Sequence, residues 1–190
     1  MEGLVLAALA RHVRDLGDDA LSRACLPAVA FDEAGSYPDG EVLTFARRMV
    51  ARQDGHGSLA ATLRSLGEAV PAVLRRTTPA SLPHFTSFAD LLDRMIAGDL
   101  AAHPLLARLA ASRRGDLLTS IEHRGDPDLC RFDEGLVVGL AALVGEGIAL
   151  RHPSCRARGD EECIFVPRLL RSESTQRLRP SGTFRLGPLK

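Results

Sequence analysis

Three cysteines and one histidine in the last third of the chain have the residue types and spacing of a metal site. His152 precedes Cys155 by three residues, and Cys163 follows Cys155 by eight, after a polar Gly-Asp turn and before the apolar run 164–166. This order is typical of a hairpin, which would bring both cysteines to one ion. Zn²⁺ prefers four nitrogen and sulfur ligands in a tetrahedron. The stretch supplies three of them, and Cys130 is the obvious donor of the fourth.

The expected zinc ion would be structural, because four protein ligands leave no open position for water. It would fix the predicted helix 129–146 to the last hairpin, and Arg156 and Arg158 would offset the charge of the thiolates. The alternative is that these thiols are buried and pack as small hydrophobic groups. Cys25 lies far from the other three in sequence and is predicted to be a buried thiol of that kind.

The composition indicates an ordinary globular domain. The 190 residues, 45% hydrophobic and 25% charged, fit one domain or two closely packed subdomains. The net charge of zero and the lack of Trp argue against nucleic-acid binding. The apolar runs are shorter than the ~20 residues that span a bilayer, and the N-terminal stretch has the pattern of a helix, not of a signal peptide. We expect a cytoplasmic protein with reduced thiols and neither a membrane nor a nucleic-acid partner.

The chain up to Pro104 is predicted to be helical. Apolar residues recur at helical spacing, and capping residues precede several of the segments, among them Ser58 before the fourth helix and Ser87 before the sixth. Gly67 is expected to separate the fourth helix from the fifth, which has Pro71 in its first turn, and Pro104 to end the sixth. The predicted helices span residues 3–16, 18–25, 41–52, 59–66, 70–76 and 88–102.

After Pro104 the pattern changes to ββαββ. The predicted strands span residues 105–111, 117–122, 148–152 and 163–168, around a helix over 129–146. Gly135, Gly139 and Gly145 fall within that helix, where each costs about 1 kcal/mol, so close packing against another backbone is expected. Two hairpins around a helix give an α+β fold, a four-stranded antiparallel sheet with the helix on one face. A domain over 1–170 would comprise a helical subdomain, 1–104, and an α/β subdomain, 105–170, followed by a flexible tail, 171–190.

Five stretches follow the motif order of a known family. They are Gly3-Leu4-Val5 with Ala8, Leu9 and Val13; Tyr37-Pro38-Asp39; residues 88–104; Leu129-Cys130 with Glu134-Gly135-Leu136 and Gly139; and Cys155 to Phe165 with Gly159-Asp160 and Cys163. Together they resemble the heme nitric oxide/oxygen-binding (H-NOX) family and the related 4-vinyl-reductase-type domains. Some bacterial H-NOX proteins hold zinc with three cysteines and one histidine, in the order and spacing of Cys130, His152, Cys155 and Cys163. The resemblance implies an H-NOX-like fold and zinc bound by these four residues.

Two departures from the family pattern concern heme. The axial histidine of the family would fall near Ile96, where residues 95–98 contain no histidine. The family's Tyr-x-Ser-x-Arg motif, which clamps the heme propionates, falls on Glu122, Arg124 and Asp126. Two carboxylates there would repel propionates, and Arg124 would offset this only in part. The resemblance therefore implies the fold without the heme.

We expect a non-catalytic sensory or regulatory domain that binds a small apolar ligand or a signalling protein where family members hold heme. By carry-over from the heme helix, the wall of that pocket would be Leu91, Leu92, Met95 and Ile96. One alternative is a heme-based NO/O₂ sensor with a non-standard axial ligand such as His103. Another is a scaffold or homodimerisation module whose pocket has filled with side chains. An enzyme has the least support, because no phosphate loop or catalytic triad motif is present in the sequence.

Overall fold

The computed structural model of the protein describes residues 3–26, 31–35, 37–52, 58–114 and 118–170, so the predicted tail lies outside the described residues. Helices and strands within these ranges follow the predicted order of a helical half and a ββαββ half. In chain order they are α1 (Gly3–Asp15), α2 (Asp19–Cys25), α3 (Gly40–Arg52), α4 (Leu59–Thr77), α5 (Phe88–Ala97), β1 (Leu109–Arg114), β2 (Leu118–His123), α6 (Cys130–Leu143), β3 (Ile148–Ser154) and β4 (Cys163–Leu169). Short 3₁₀ turns occur at Pro79–Ser81, Pro127–Leu129 and Arg156–Arg158.

The four strands form one antiparallel sheet in the order β1-β2-β4-β3, which confirms the predicted α+β fold. The central pair β2–β4 places His123 opposite Cys163 and Ile121 opposite Phe165. The pairing of β3 with β4 is irregular between Arg151 and Ser154. The predicted last hairpin therefore exists, and its irregular segment contains His152.

Residues 59–77 form the single helix α4. The prediction of two separate helices, 59–66 and 70–76, was wrong. Ser58 caps it as expected, its Oγ accepting a hydrogen bond from the N–H of Ala61 at 3.1 Å. Gly67 does not break the helix. Pro71 removes one helical hydrogen bond, but the buried face on either side of it holds the helix together.

Helices α4 and α6 cross with their backbones in contact. A Cβ placed on Gly67 would lie 2.0 Å from the Phe132 carbonyl oxygen, and one on Gly135 would lie 2.0 Å from the Arg64 carbonyl oxygen. Gly139 has a similar approach to α4. The glycines in α6 thus allow the close packing that the sequence predicted, whereas Gly145 lies beyond the helix end with a φ of 75°.

Helix α5 and strand β1 have other bounds than predicted. Helix α5 ends at Ala97 and not near residue 102, because Gly98 adopts the left-handed conformation and its N–H bonds to the carbonyl of Arg94. Turns follow, and Leu105 and Leu106 are buried before β1 begins at Leu109. These two residues were wrongly assigned to the strand, because their apolar character comes from core packing.

One buried apolar cluster joins the helical half to the sheet. It includes residues from each of the helices α1 to α6 and each of the strands β1 to β4, with Phe88, Phe132 and Phe165 among its largest members. No helix in the described ranges has the length and apolar character needed to cross a bilayer. Helix α6 lies between α4 and the sheet, and this position brings its first residue, Cys130, to the β3–β4 hairpin.

Candidate metal centre

The structure brings together the four residues predicted to bind zinc. Ligand atoms of Cys130, His152, Cys155 and Cys163 all lie within 4.8 Å of one another. The sulfurs of Cys130 and Cys155 are 3.6 Å apart, and all three thiols are free. A tetrahedral ion with Zn–S bonds of ~2.3 Å separates its sulfur ligands by ~3.8 Å, whereas a disulfide needs ~2.05 Å. The spacing therefore fits one metal ion with four ligands.

Backbone N–H groups surround the sulfurs at the hairpin end. The 3₁₀ turn Arg156–Arg158 follows Cys155, and the N–H of Arg156 donates to Cys163 Sγ at 3.2 Å. Asp160 closes this loop, its carboxylate accepting from the N–H of Cys155 at 2.6 Å. Gly159 permits the loop with a φ of 94°. N–H donors directed at sulfur favour the thiolate, which is the form that binds metal.

The pKa values of the Cys130 and Cys155 thiols are shifted in opposite directions, and their sulfurs lie 3.6 Å apart. Burial raises the pKa of Cys130, and the neighbouring sulfur of Cys155 raises it further. Burial acts in the same direction on Cys155, but hydrogen bonds from the Cys130 thiol and the N–H of Ala157 outweigh it and lower the pKa of Cys155. A bound metal ion would take both groups as thiolates and would release their protons.

His152 is a buried imidazole without hydrogen-bond partners. Its side chain is 5% exposed, and neither ring nitrogen has a hydrogen-bond partner, although a carboxylate oxygen of Glu134 lies 3.8 Å from Nδ1. Burial, followed by the nearby Arg131, lowers the pKa of His152 to about 4, so the ring is neutral, as a metal ligand must be. The ring of Phe165 packs edge-on against it at 4.7 Å. Two unpaired nitrogens at a buried site are costly, and coordination of a metal ion would satisfy one of them.

Arginines lie around the four ligands. Arg158 donates to the carbonyl of His152 at 2.9 Å, and Arg156 donates to the carbonyls of His123 and Gly125. Arg131 pairs with Glu134 at 2.7 Å. Three thiolates and one neutral imidazole would give a Zn²⁺ site a net charge of −1, and these guanidinium groups can offset it.

A second buried polar cluster, which sequence reasoning missed, lies next to the metal ligands. Asp133 on α6 is 0% exposed and binds Arg108 through two hydrogen bonds of 2.6 and 3.1 Å. Its Oδ2 also lies 2.9 Å from Nδ1 of His123, whose Nε2 is 2.9 Å from the Asp126 carbonyl oxygen. A carboxylate among the apolar residues at the start of α6 was the signal in the sequence, because a buried charge needs a paired cation.

The residues predicted to line a ligand pocket are mostly in the core. Leu91, Leu92 and Met95 are 1, 8 and 9% exposed and pack in the apolar cluster, whereas Ile96, at the position of the family's axial histidine, is 37% exposed. His103 accepts a hydrogen bond from the N–H of Leu105 at 3.3 Å, as a capping residue would.

The positions of the propionate clamp hold side chains that are engaged with their neighbours. Glu122 accepts two hydrogen bonds from Arg124, and the carboxylate of Asp126 accepts one from the N–H of Asp128 at 2.9 Å. Ile96 and these three residues supply neither an iron ligand nor the family's set of propionate donors. The chain's residues at these positions therefore do not fit heme bound in the family's manner.

Comparison by sequence finds no matching protein-family model and no matching curated protein. Comparison by structure gives clear matches. An H-NOX protein from Shewanella oneidensis, solved in the Fe(II)NO ligation state, superposes with a TM-score of 0.69 over 90% of this chain and 100% of its own, at 17% identity. This chain has an H-NOX-like fold. Another match, the Fe(II) unliganded H-NOX protein from K. algicida, gives a TM-score of 0.66 over 91% of this chain and 98% of its own, at 14% identity.

The H-NOX-like fold of the chain confirms the resemblance inferred from its motifs. At these identities the likeness concerns the fold and not the ligand. The Cys130, His152, Cys155 and Cys163 cluster can hold a metal ion on the geometry given above.

Proposed function

We propose that this protein is a heme-free sensory or regulatory domain stabilised by a structural zinc ion. The observation that carries the metal assignment is the convergence of three cysteine sulfurs and a buried, unpartnered imidazole within 4.8 Å. Soft thiolates with imidazole in a tetrahedral set select zinc over the hard cations Mg²⁺ and Ca²⁺. Four protein ligands leave no position for substrate, so the ion serves the fold.

The heme-free assignment rests on the residues at the family's heme positions. Ile96 cannot ligate iron, and Glu122 and Asp126 bring negative charge to the propionate positions. The side chains of Leu91, Leu92 and Met95 occupy core space on the helix that carries the family's axial histidine. A sensor of this kind would respond to a small apolar ligand or to a signalling protein, and not to a gas bound by iron.

A non-catalytic role fits the buried polar groups. His123 and Asp133 form the pair best suited to acid–base chemistry, but they are 1% and 0% exposed, and Arg108 neutralises the carboxylate. Three thiolate ligands require a reducing compartment, and this supports the cytoplasm as the location. The relation to 4-vinyl-reductase-type domains, and the absence of nucleic-acid and membrane partners, stay predictions.

The experiment measures metal content and the absorption spectrum together, on protein expressed with added heme precursor. We expect about one zinc per chain and no Soret band. The variant C130S should lose most of the zinc, since one of four ligands is gone. C25S is the matched control, because Cys25 is an equally buried thiol outside the cluster.

Each outcome of this experiment decides one part of the proposal. A stoichiometric Soret band would overturn the heme-free reading and favour a gas sensor with an unusual axial ligand, for which His103 is the first residue to replace. Zinc-free protein, or equal zinc in C130S and C25S, would overturn the metal assignment. Zinc without heme, together with a dimer in solution and no ligand from a screen of small apolar compounds, would favour the scaffold alternative.

A further inference from the structure

A cavity of about 310 Å³ opens beside the candidate zinc site and is distinct from the heme-helix pocket expected from the family. Its apolar wall comes from the first turns of α4, through Leu59, Ala60 and Leu63. Pro127 and Ala157 face them from the two 3₁₀ turns next to the cysteines. Three separate parts of the fold therefore meet at one concave apolar surface, a common setting for small-molecule binding.

The charged side chains that line this cavity include two cations. Arg131 and Arg158 line it with a single carboxylate, that of Asp128. Glu134 orients Arg131 through one hydrogen bond. Arg158 donates another to the carbonyl of His152, and the carboxylate of Asp160 lies 3.7 Å from it. Each guanidinium has five N–H donors, so both retain donors for a ligand. Two oriented cations at the edge of an apolar wall suit a ligand with one anionic group.

The volume limits the size of the ligand. At about 30 Å³ for each water in the liquid, the cavity holds on the order of ten water-sized groups. A carboxylate with an apolar chain of about eight carbons matches this number. We propose that this cavity binds a small amphipathic monoanion, a medium-chain carboxylate, with its chain on α4 and its carboxylate at Arg131 and Arg158. The proposal rests on the proposed sensory function and assigns that function a ligand class and a site.

Such a ligand would bridge the helical half and the zinc-binding hairpin. Its chain would contact α4, and its carboxylate would contact Arg158, which lies three residues after the candidate metal-binding residue Cys155. The cavity also contacts the first turn of α6 at Cys130 and Arg131. Binding would thus hold α4, the start of α6 and the hairpin together at the surface, in addition to their contacts in the apolar core.

The test uses the full, zinc-loaded chain and sodium octanoate below its micellar concentration. Octylammonium chloride is the matched probe, with the same chain and the opposite charge. Binding is followed by calorimetry and by the methyl resonances of Leu59, Ala60 and Leu63. We expect octanoate to shift these methyl signals while leaving those of Leu6 in α1 unchanged, and we expect octylammonium to bind at least tenfold more weakly.

Two substitutions locate the site, each with a matched control. A60F places a ring in the cavity from an exposed position and should weaken octanoate binding by about tenfold or more. A61F, one residue along the same helix, has its side chain outside this cavity and should bind as the wild type does. R158Q should weaken binding by about tenfold, whereas R151Q, also exposed but on β3, should not.

Several results would overturn this assignment. They are no octanoate binding to the wild type, equal binding of octylammonium, unchanged binding in A60F, or methyl shifts centred on α5 in place of α4. None of them bears on zinc content or the Soret band, which decide the proposed function separately. Unchanged zinc content in A60F and R158Q ensures that a loss of binding reports the cavity and not a lost metal site.

Discussion

His152 and Asp133 are both buried polar residues, but their surroundings differ. Asp133 receives two hydrogen bonds from Arg108 and a close approach from His123. His152 has no hydrogen-bond partner for either ring nitrogen. A folded chain normally satisfies buried polar groups. Nδ1 of His123 has the Asp133 carboxylate at 2.9 Å, whereas His152 has no group within hydrogen-bond distance of either nitrogen. The unsatisfied imidazole supports the metal assignment independently of the cysteine spacing.

Replacement of Asp133 by Asn should be strongly destabilising. The variant D133N removes the closest carboxylate from Arg108, which keeps Asp39 at 3.6 Å, and takes the 2.9 Å carboxylate partner from the buried His123. Breaking a buried pair in this way typically costs about 3–5 kcal/mol. D93N is the control, because the Asp93–Arg113 pair is well exposed and should contribute about 1 kcal/mol or less. Urea unfolding of the two variants measures the difference, and equal losses would contradict the network's importance.

The same carboxylate predicts how stability depends on pH. Burial opposes the charged form of Asp133, but Arg108 and then His123 outweigh it and hold the pKa below its ordinary value. A pKa depressed by folding contributes stability that is present above the unfolded value of about 3.9 and is lost as pH falls toward the folded value. Wild-type unfolding midpoints should drop below about pH 4 more steeply than those of D133N.

At the scale of elements, the α4–α6 crossing depends on glycine. A Cβ on Gly135 would meet a backbone carbonyl of α4 at 2.0 Å, and a backbone atom cannot yield as a flexible side chain can. G135A should therefore destabilise the fold by about 1–3 kcal/mol or more, although Ala is the better helix former. G40A is the control, because no atom lies within 4 Å of its added Cβ and its φ is negative.

We expect G40A to be neutral or to stabilise the protein by about 0.5–1 kcal/mol, through the lower entropy of the unfolded chain. Thermal unfolding of G135A and G40A side by side checks the direction of both stability changes. A stable G135A would show that the two helices can move apart at no great cost, contrary to the packing described.

Local signals predicted the elements that local chemistry determines. Ser58 and Ser87 cap helices where the sequence placed them, and the turn between Cys155 and Cys163 gave the hairpin and three of the four metal ligands. The errors arose where a residue's structure depends on contacts with a part of the chain that is distant in sequence. Gly67 was taken as a break, because only the structure shows that Phe132 of α6 approaches its backbone.

The same difference between local signals and long-range contacts applies to the candidate metal centre. Cysteine and histidine spacing identifies the ligands, but the role of Asp133 depends on Arg108, which is 25 residues away in sequence. The cavity next to the cysteines could not be found from the sequence either, since its walls come from α4 and the turns before and after the cysteines. Sequence reasoning placed the pocket on α5 by analogy, where the structure has core side chains.

At the scale of the whole molecule, the four candidate metal-binding residues join the sheet to α6, and α6 in turn contacts the helical half. Cys130 begins α6, Cys155 and Cys163 border the hairpin turn, and α6 packs along α4 through Gly135 and Gly139. A metal ion bound at this point would fix α6 to β3 and β4 at one end only. The apolar cluster extends from the cysteines to α1 at the other end of the core.

Removal of the metal should therefore loosen the molecule unevenly. A chelator that extracts zinc leaves three adjacent buried sulfurs and an unpaired imidazole, and we expect a lower unfolding temperature and faster amide exchange in residues 152–163 and in the first turn of α6. The amides of Leu6 and Leu9, in the core-facing part of α1, should keep their protection. The C25S variant should respond to the chelator as the wild type does, and C130S should resemble the chelated protein before any chelator is added. Uniform loss of protection across α1 and the hairpin would mean that the metal stabilises the whole fold and not only one end of α6. Unchanged amide exchange would mean that the four residues do not bind a metal ion.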